Sequence, residues 1–192
     1  MSYGFEFKEA AKKFERAASN VKLVIFDVDG VLTDGGMPYF ESGEHHKRFN
    51  VLDGHGIKQL KAAGLLPVVI TGSHARLMRK RLAALGMEEH AQFNVEDKLV
   101  AAQRLLAKLG LDWSQVAAIG DDWPDLPNIC LAAVTAAPAN AHPEVRARAG
   151  YVTQSMGGYG AAREFCDLLL HARGHYQQDL ASMLARIKAA KP

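Results

Sequence analysis

The chain has 192 residues, a length that fits one domain with one hydrophobic core. Its formal net charge is +2, and acidic and basic residues are mixed along the sequence without a block of either sign. Bulk electrostatics therefore does not point to nucleic acid or an anionic membrane as a partner. No apolar run reaches the length of a membrane-spanning helix, and the first residues lack a secretory signal pattern, so we expect a cytoplasmic protein.

The chain contains two cysteines, Cys130 and Cys166, and apolar residues flank both. We expect buried, reduced thiols at these positions and not a disulfide or a metal site. Neither thiol is predicted to be catalytic.

Apolar, strand-like runs alternate along the sequence with segments of helical periodicity. An amphipathic helix is predicted first, over residues 5–18. Strands follow at 23–26, 66–70, 116–119, 134–137 and, as a weaker pattern, 151–152. Helices are predicted between and after them, at 57–63, 76–85, 98–109, 126–132, 143–148 and from 161 to about 189, with a break at 171–175. This alternation predicts an α/β fold with a doubly wound, Rossmann-like parallel sheet.

The segment 35–51 departs from this alternation. It contains Pro38-Tyr39-Phe40, turn residues at 41–44 and a mixed run to Val51, which predicts a β-hairpin that overhangs the carboxyl end of the first strand. Such a hairpin has exposed edges and little core of its own, so we expect it to pair with copies of itself. With no repeat or linker in the sequence, residues 1–192 are predicted to form a single domain.

Two carboxylates, Asp27 and Asp29, follow the first predicted strand. Residues two apart on a strand point to the same side, so both carboxylates would face one place. Like charges repel there unless a cation or a proton is present. Aspartates in this arrangement suit a hard cation and a nucleophilic oxygen, although a turn or helix cap also explains the motif when it is taken alone.

The second predicted strand ends in Thr71-Gly72-Ser73, where a hydroxyl and backbone N–H groups offer a phosphate cradle. The third ends in an acidic turn that contains Asp121, Asp122 and Asp125. Ligands of doubly wound sheets bind at the carboxyl ends of the strands, so these groups should converge with the first pair. That convergence predicts a magnesium-dependent phosphate site. Lys98, just inside a predicted helix, would neutralise a phosphoryl group.

Four motifs together resemble those of the haloacid dehalogenase superfamily of aspartyl phosphatases, over residues 21–170. They are Asp27-Val-Asp29-Gly30-Val-Leu-Thr, Thr71-Gly72, Lys98 and Gly120-Asp121-Asp122-x-x-Asp125. The absence of a large cap insertion, the run that ends in Asp53-Gly54-x-Gly56 and the late Gly157-Gly158-x-Gly160-Ala161-x-Arg163-Glu164 narrow the resemblance. With these features the chain resembles the small capless phosphatases that act on 3-deoxy-D-manno-octulosonate 8-phosphate and their sialic-acid-type relatives.

The resemblance implies a role for each motif. Asp27 would be the nucleophile, and Asp29 the general acid and base. Mg²⁺ would be held by Asp27, the backbone carbonyl of Asp29 and Asp121, while Thr71 and Lys98 would stabilise the phosphoryl oxygens. Asp122 and Asp125 would orient waters or Lys98. The resemblance also implies a homotetramer in which a neighbouring subunit helps to close each site.

Substrate contacts are predicted at Gly72, Ser73, Lys47, Asp53, Arg76 and Arg163. Ser73 departs from the family pattern, in which Arg or Lys often follows Thr-Gly. His74 or Arg76 would compensate, or the substrate would differ. Lys47 is equally well explained as an exposed edge-strand charge. His45, His46 and His55 lack metal-ligand spacing and are predicted to be surface or substrate-facing residues.

Three functional hypotheses remain open from the sequence. The first is a phosphatase of 3-deoxy-D-manno-octulosonate 8-phosphate, and the second is a phosphatase of another nonulosonate or of sugar phosphates in general. The third is a different class, a non-catalytic phosphoacceptor or structural partner domain. Asp29 discriminates against the third, because a phosphoacceptor needs no general acid two residues after its nucleophile.

Overall fold

The computed structural model describes residues 4–41, 43–44 and 46–190. The strands are Leu23–Phe26 (β1), Tyr39–Phe40 (β2), Gly43–Glu44 (β3), Leu66–Val69 (β4), Val116–Ile119 (β5), Val134–Ala137 (β6) and Tyr151–Val152 (β7). Five of them form one parallel sheet in the order β4-β1-β5-β6-β7, and β2 pairs with β3 in an antiparallel hairpin. Because β1 lies between β4 and β5, the residues that follow these three strands meet at one edge.

The helices are Phe5–Asn20 (α1), Val51–Ala62 (α2), Arg79–Leu85 (α3), Lys98–Leu109 (α4), Leu126–Leu131 (α5), Pro143–Arg146 (α6), Ala161–Ala172 (α7) and His175–Ala189 (α8). Alternate residues of β1 pack into two separate cores. Val24 and Phe26 lie with Phe165 of α7, whereas Ile25 lies with Leu105 of α4. The sheet is therefore covered on both faces, as the doubly wound prediction requires, and no large cap domain is present in the described part of the chain.

Helix α4 shows how the sequence places a functional residue. The Asp97 side chain accepts hydrogen bonds from the backbone N–H groups of Leu99 and Val100, at 2.8 and 3.1 Å, and so caps the helix. The helix ends at Gly110, whose φ of +64° suits a left-handed C-cap. These two signals fix Lys98 as the first residue of the helix, beside the sheet edge.

The segment between β1 and α2 differs from the prediction. The hairpin strands have two residues each, Gly43 and Glu44 belong to β3 and not to the turn, and residues 46–50 are irregular. Lys47 therefore does not lie in a return strand; Ser42 is outside the described residues. Helix α2 begins at Val51 and not near residue 57, because the Asn50 side chain caps it by accepting from the Leu52 N–H at 2.9 Å.

Glycines in the first turns of α2 obscured its helical pattern. A Cβ on Gly54 would lie 2.2 Å from the Arg81 guanidinium, and one on Gly56 would lie 2.9 Å from the Cβ of Cys166. These glycines therefore allow close packing of the helix, despite their poor helix propensity.

Three further predictions have clear outcomes. The helix predicted over 76–85 is split into a 3₁₀ turn at Ala75–Leu77 and α3. The predicted break near the end of the chain is confirmed, since α7 ends at Ala172 and α8 begins at His175. The prediction of two buried thiols holds for Cys166 but is wrong for Cys130, which lies exposed near the end of the short helix α5. In the described part of the chain, no helix has the length and apolar character needed to cross a membrane.

Candidate active site

A cavity of about 320 Å³ opens where β1, β4 and β5 end. Its walls include Asp27 and Asp29 after β1, Thr71 after β4 and Asp121 after β5. The parallel register of the three strands aligns their carboxyl ends, which is why side chains far apart in sequence share one site. The structure thus brings together the residues of the three predicted strand-exit motifs.

Lys98 joins two of these motifs through buried ion pairs. Its Nζ lies 2.5 Å from Oδ1 of Asp27 and 2.7 Å from Oδ1 of Asp125. The carboxylates raise the pKa of Lys98 above its ordinary value, although burial acts to lower it. The lysine is therefore a fixed cation, held beside the carboxylate that the sequence predicts to be the nucleophile.

Asp125 also organises the turn that carries the predicted metal ligand. Its Oδ2 accepts hydrogen bonds from the backbone N–H groups of Asp121, at 3.1 Å, and Asp122, at 3.4 Å. Gly120 makes room for it, because a Cβ there would lie 2.3 Å from the Cβ of Asp125. The contacts with Lys98 fit the predicted orienting role of Asp125, which remains a prediction.

Three carboxylates lie close together beside Lys98. Among the described residues, Asp27, Asp121 and Asp125 each offer a carboxylate oxygen within 4.8 Å of the others. Burial and the charge of Asp125 raise the pKa of Asp27 to about 7, against the lowering effect of Lys98. Burial, with Asp27 and Asp125, raises the pKa of Asp121 to about 8. An oxygen-rich cluster of this kind fits a hard divalent cation. Lys98 pairs with both Asp27 and Asp125, and the assignment of the ion to Asp27 and Asp121 stays a prediction.

Asp29 lies partly exposed at the cavity and is held by residues from two other segments. Its Oδ2 accepts a hydrogen bond from Oγ of Ser73 at 2.5 Å, and its Oδ1 forms an ion pair with Nζ of Lys47. Nζ of Lys47 also donates a hydrogen bond to Oγ of Ser73 at 3.3 Å. The hydroxyl of Thr33 approaches Oδ1 at 3.4 Å. Lys47 is thus not a free edge charge, because its side chain is 98% buried against the predicted acid and base.

Thr71 is buried and is oriented for donation. Its Oγ1 accepts a hydrogen bond from the backbone N–H of Ser73 at 3.1 Å, which leaves its O–H proton available to a ligand. Gly72 is exposed at the cavity wall. Asp122 also lines the cavity, but its Oδ1 caps the following 3₁₀ turn by accepting from the Trp123 N–H at 2.8 Å. A water-orienting role for Asp122 stays a prediction.

Besides Lys47, three predicted substrate contacts lie outside the cavity lining within this chain. Arg76 is exposed in the 3₁₀ turn after β4. Asp53 is buried in α2 and accepts a hydrogen bond from the backbone N–H of Arg163 at 2.7 Å. The Arg163 side chain pairs with Asp167 one turn further along α7, at 2.8 Å. Asp53 and Arg163 therefore join α2 to α7, and their substrate roles remain untested predictions.

The histidines and the cavity walls add little to the predicted chemistry. His46 and His55 are exposed, and His45 is outside the described residues. Val95, Glu96 and Pro124 also line the cavity, and sequence reasoning did not select them. Val95 and Glu96 come from a loop and Pro124 from the short 3₁₀ turn after β5, and neither segment has a periodic signal for side-chain direction.

The glycine-rich segment before α7 supports the loop that carries Asp29. A Cβ on Gly157 would lie 1.7 Å from the carbonyl oxygen of Gly30, and one on Gly158 would lie 2.3 Å from the backbone nitrogen of Asp34. Gly30 itself has a φ of +88°, and a Cβ there would lie 2.1 Å from the Asp121 carboxylate. The β1 loop therefore packs closely against the glycine-rich segment and against Asp121. A side chain at any of these glycines would prevent that packing.

Comparison with known proteins agrees with this architecture. Residues 93–164 match the model of the haloacid dehalogenase-like hydrolase family. The chain is 44% identical over 157 residues to the 3-deoxy-D-manno-octulosonate 8-phosphate phosphatase of Escherichia coli strain K12. The aligned region covers 82% of this chain and 83% of that protein. The protein of that name from Yersinia pestis is also 44% identical, over 81% of this chain and 83% of its own length.

Solved structures give the same result. A probable YrbI family phosphatase from Pseudomonas syringae has a TM-score of 0.86 and 43% identity, over 92% of this chain and 98% of that chain. The 3-deoxy-D-manno-octulosonate 8-phosphate phosphatase of Moraxella catarrhalis, solved in complex with magnesium, phosphate and a KDO molecule, has a TM-score of 0.85 and 36% identity, over 90% and 98% of the two chains. The chain therefore belongs to the haloacid dehalogenase-like hydrolases and is a phosphomonoesterase of the family that includes these phosphatases.

Proposed function

We propose that this enzyme hydrolyses 3-deoxy-D-manno-octulosonate 8-phosphate to the free sugar acid and phosphate, through an aspartyl phosphate on Asp27. The observation that carries the proposal is the position of Asp27, whose carboxylate meets Lys98 at the base of a cavity lined by oxygen ligands. The names of the relatives at 44% identity support this substrate, as does the KDO-bound relative.

In the first step, an oxygen of Asp27 attacks phosphorus and the bond to the sugar oxygen breaks. Lys98 and the Thr71 hydroxyl are placed to stabilise the charge on the phosphoryl oxygens, with the backbone N–H groups after β4. Because Lys98 is held by two carboxylates, it is oriented before the substrate arrives. Electrostatic preorganisation of this kind is the main contribution a protein makes to phosphoryl transfer.

Asp29 acts as the general acid and base. It donates a proton to the leaving sugar oxygen and later accepts one from the water that attacks the aspartyl phosphate. Its partners, Ser73 and Lys47, hold the carboxylate at the open side of the cavity. This arrangement gives Ser73 and Lys47 a positioning role in addition to their predicted substrate contacts.

Magnesium completes the site. Asp27, Asp121 and the backbone carbonyl of Asp29 would hold the ion, which supplies positive charge to the phosphoryl group when bound. The raised pKa values of Asp27 and Asp121 support this assignment, because a bound cation favours the ionised forms that burial disfavours. The relative from Haemophilus influenzae was solved in a cobalt-bound form, which further supports metal binding in this family.

A second candidate substrate class is the phosphate of another nonulosonate. Ser73 bears on the choice, because its hydroxyl donates to Asp29 at a position where the family often has Arg or Lys. The two candidates separate in a panel of eight- and nine-carbon sugar-acid phosphates compared by kcat/KM. A flat profile across the panel would contradict both and indicate a general sugar phosphatase.

The assembly and location remain parts of the proposal. We propose a homotetramer in which the hairpin of β2 and β3 contacts its copies, on the strength of the hairpin's small size and its exposed Phe40. Light scattering tests the mass, and a monomer would contradict the proposal. A cytoplasmic location is supported by the free thiols Cys130 and Cys166.

Asp27→Asn tests the nucleophile. The variant keeps the shape of the side chain but cannot form the acyl phosphate, so turnover should fall by many powers of ten. Glu9→Gln, an exposed change on α1, is the matched control and should retain full activity. Binding of Mg²⁺ by Asp27→Asn, measured by calorimetry, should persist through Asp121. Substantial turnover by Asp27→Asn would overturn the nucleophile assignment.

A further inference from the structure

Helix α8 carries an exposed apolar stripe. None of its described side chains is buried, and Leu180, Met183, Leu184 and Ile187 are 44%, 53%, 49% and 52% exposed. Their spacing places all four on one side of the helix. A 15-residue helix is marginally stable in water when nothing packs against it. An apolar stripe on such a helix is the pattern of a surface that packs against a partner.

The charges beside the stripe indicate what that partner is. Asp179 and Arg186 are seven residues apart and therefore lie on the same flank of the stripe. The stripe is centred between Met183 and Leu184, so a second copy of α8 in the opposite direction places Leu180 across from Ile187. In that register Asp179 is two residues, or about 3 Å along the axis, from Arg186 of the second copy. A two-fold axis makes this contact twice.

A parallel pair lacks this complementarity. In a parallel pair, each residue lies level with the same residue of the other copy. The neighbour of Asp179 across the flank is then Leu184 of the other copy, and no basic residue lies level with Asp179 on that flank. The pattern of apolar and charged residues therefore favours the antiparallel arrangement.

We propose that α8 is a self-association surface, which binds α8 of a second copy of this chain in an antiparallel, two-fold symmetric pair. The apolar residues Leu180, Met183, Leu184 and Ile187 form its centre, and the Asp179–Arg186 pairs flank it. The pairing is independent of the proposed catalytic activity and of the hairpin contacts. It would bring two sites of the enzyme into one assembly through an element that lies outside the cavity.

Cysteine crosslinking tests the register directly. In a Cys130→Ser background, an equimolar mixture of Leu180→Cys and Ile187→Cys chains should form a disulfide-linked dimer on oxidation by copper phenanthroline. Each variant alone should not, because equal positions are then about 10 Å apart along the axis, beyond the reach of a disulfide. The matched control is a mixture of Gln178→Cys and Ala185→Cys chains, which have the same spacing on the opposite side of α8.

The charge contacts supply a second test. Asp179→Arg and Arg186→Asp should each lower the rate of crosslinking by about three- to tenfold, and the double variant should restore it, since the reversed pair has the same complementarity. Crosslinking at the level of the control mixture would overturn the proposal. Crosslinking of Ile187→Cys with itself would overturn the antiparallel register in favour of a parallel one. Neither outcome bears on phosphatase activity, which is measured separately.

Discussion

Lys98→Met tests how far the active site depends on one buried cation. Methionine keeps the length and the apolar stem of lysine but removes its charge. The side chains of Lys98, Asp27 and Asp125 are 7%, 7% and 5% exposed, so the two carboxylates would be left buried without their cation. Removal of one member of a buried ion pair costs about 3–5 kcal/mol of stability. We expect a loss of this size at pH 8 in the absence of Mg²⁺.

The pH dependence of this loss follows from the pKa of Asp27. Burial and Asp125 raise that pKa to about 7, and Lys98 opposes the rise. Without Lys98 the pKa increases further, so the native state binds a proton that the unfolded state, with its ordinary value near 3.8, does not. Stability therefore falls as pH rises through this window. The deficit of Lys98→Met should therefore be larger at pH 8 than at pH 5.

Urea unfolding at pH 5 and pH 8, with EDTA present, measures this deficit, and kcat/KM with Mg²⁺ present measures catalysis. Lys108→Met, an exposed change on the same helix, is the control for the loss of a lysine. Adding Asp125→Asn to Lys98→Met should recover part of the stability, because it removes one unpaired charge. Activity of Lys98→Met should fall by at least about a hundredfold. A variant within about 1 kcal/mol of the parent at pH 8, with its activity retained, would refute the assignment of Lys98 as the organising cation.

Further expected outcomes concern the metal, the β1 loop and the α2–α7 junction. Mg²⁺ should raise Tm more at pH 8.5 than at pH 5.5 in thermal scans against EDTA, because protons compete for Asp27 and Asp121, whose pKa values are about 7 and 8. Gly157→Ala should lower kcat/KM by about a hundredfold by displacing the β1 loop, whereas Gly110→Ala, strained at φ +64° but without a close contact, should cost about 1 kcal/mol of stability alone. Burial raises the pKa of Asp53 to about 6, so stability should fall by about 3 kcal/mol as pH rises from 3.8 to 6, and Asp53→Asn should flatten this slope in urea unfolding.

The sequence was sufficient for the sheet and for the residues that follow its strands. Asp27, Thr71 and Asp121 could be placed together because parallel strands of a doubly wound sheet end at one edge. This reasoning needs the order of elements but no side-chain detail. The predicted helix that begins at Lys98 was also correct to the residue, because Asp97 and Gly110 are strong local signals.

The features that the sequence did not reveal depend on tertiary contacts instead. Helix α2 was predicted to begin too late because Gly54 and Gly56 suggest a loop, whereas their missing Cβ atoms allow Arg81 and Cys166 to pack closely. The substrate role of Asp53 stays a prediction, but the sequence did not reveal that its carboxylate accepts a hydrogen bond from the backbone N–H of Arg163 in α7. Neither contact leaves a periodic or local signal, since both partners are distant in sequence.

The contacts of Asp29 connect the irregular residues after the hairpin, which the sequence predicted least well, to the end of β1, which it predicted best. Asp27 is fixed by the sheet, but Asp29 depends on Lys47, which belongs to the irregular residues after the hairpin, and on Ser73. An ion pair holds its geometry only as well as the segment that presents it, so the order of residues 46–50 affects the position of Asp29, the proposed proton donor. Arg48 adds a second link, because it pairs with Asp34 at 2.7 Å and lies over the ring of Tyr159. The hairpin segment is thereby tied to both the β1 loop and the glycine-rich segment. Contacts of the hairpin in the proposed tetramer should therefore affect the proposed acid–base role of Asp29 more than the proposed nucleophile, Asp27.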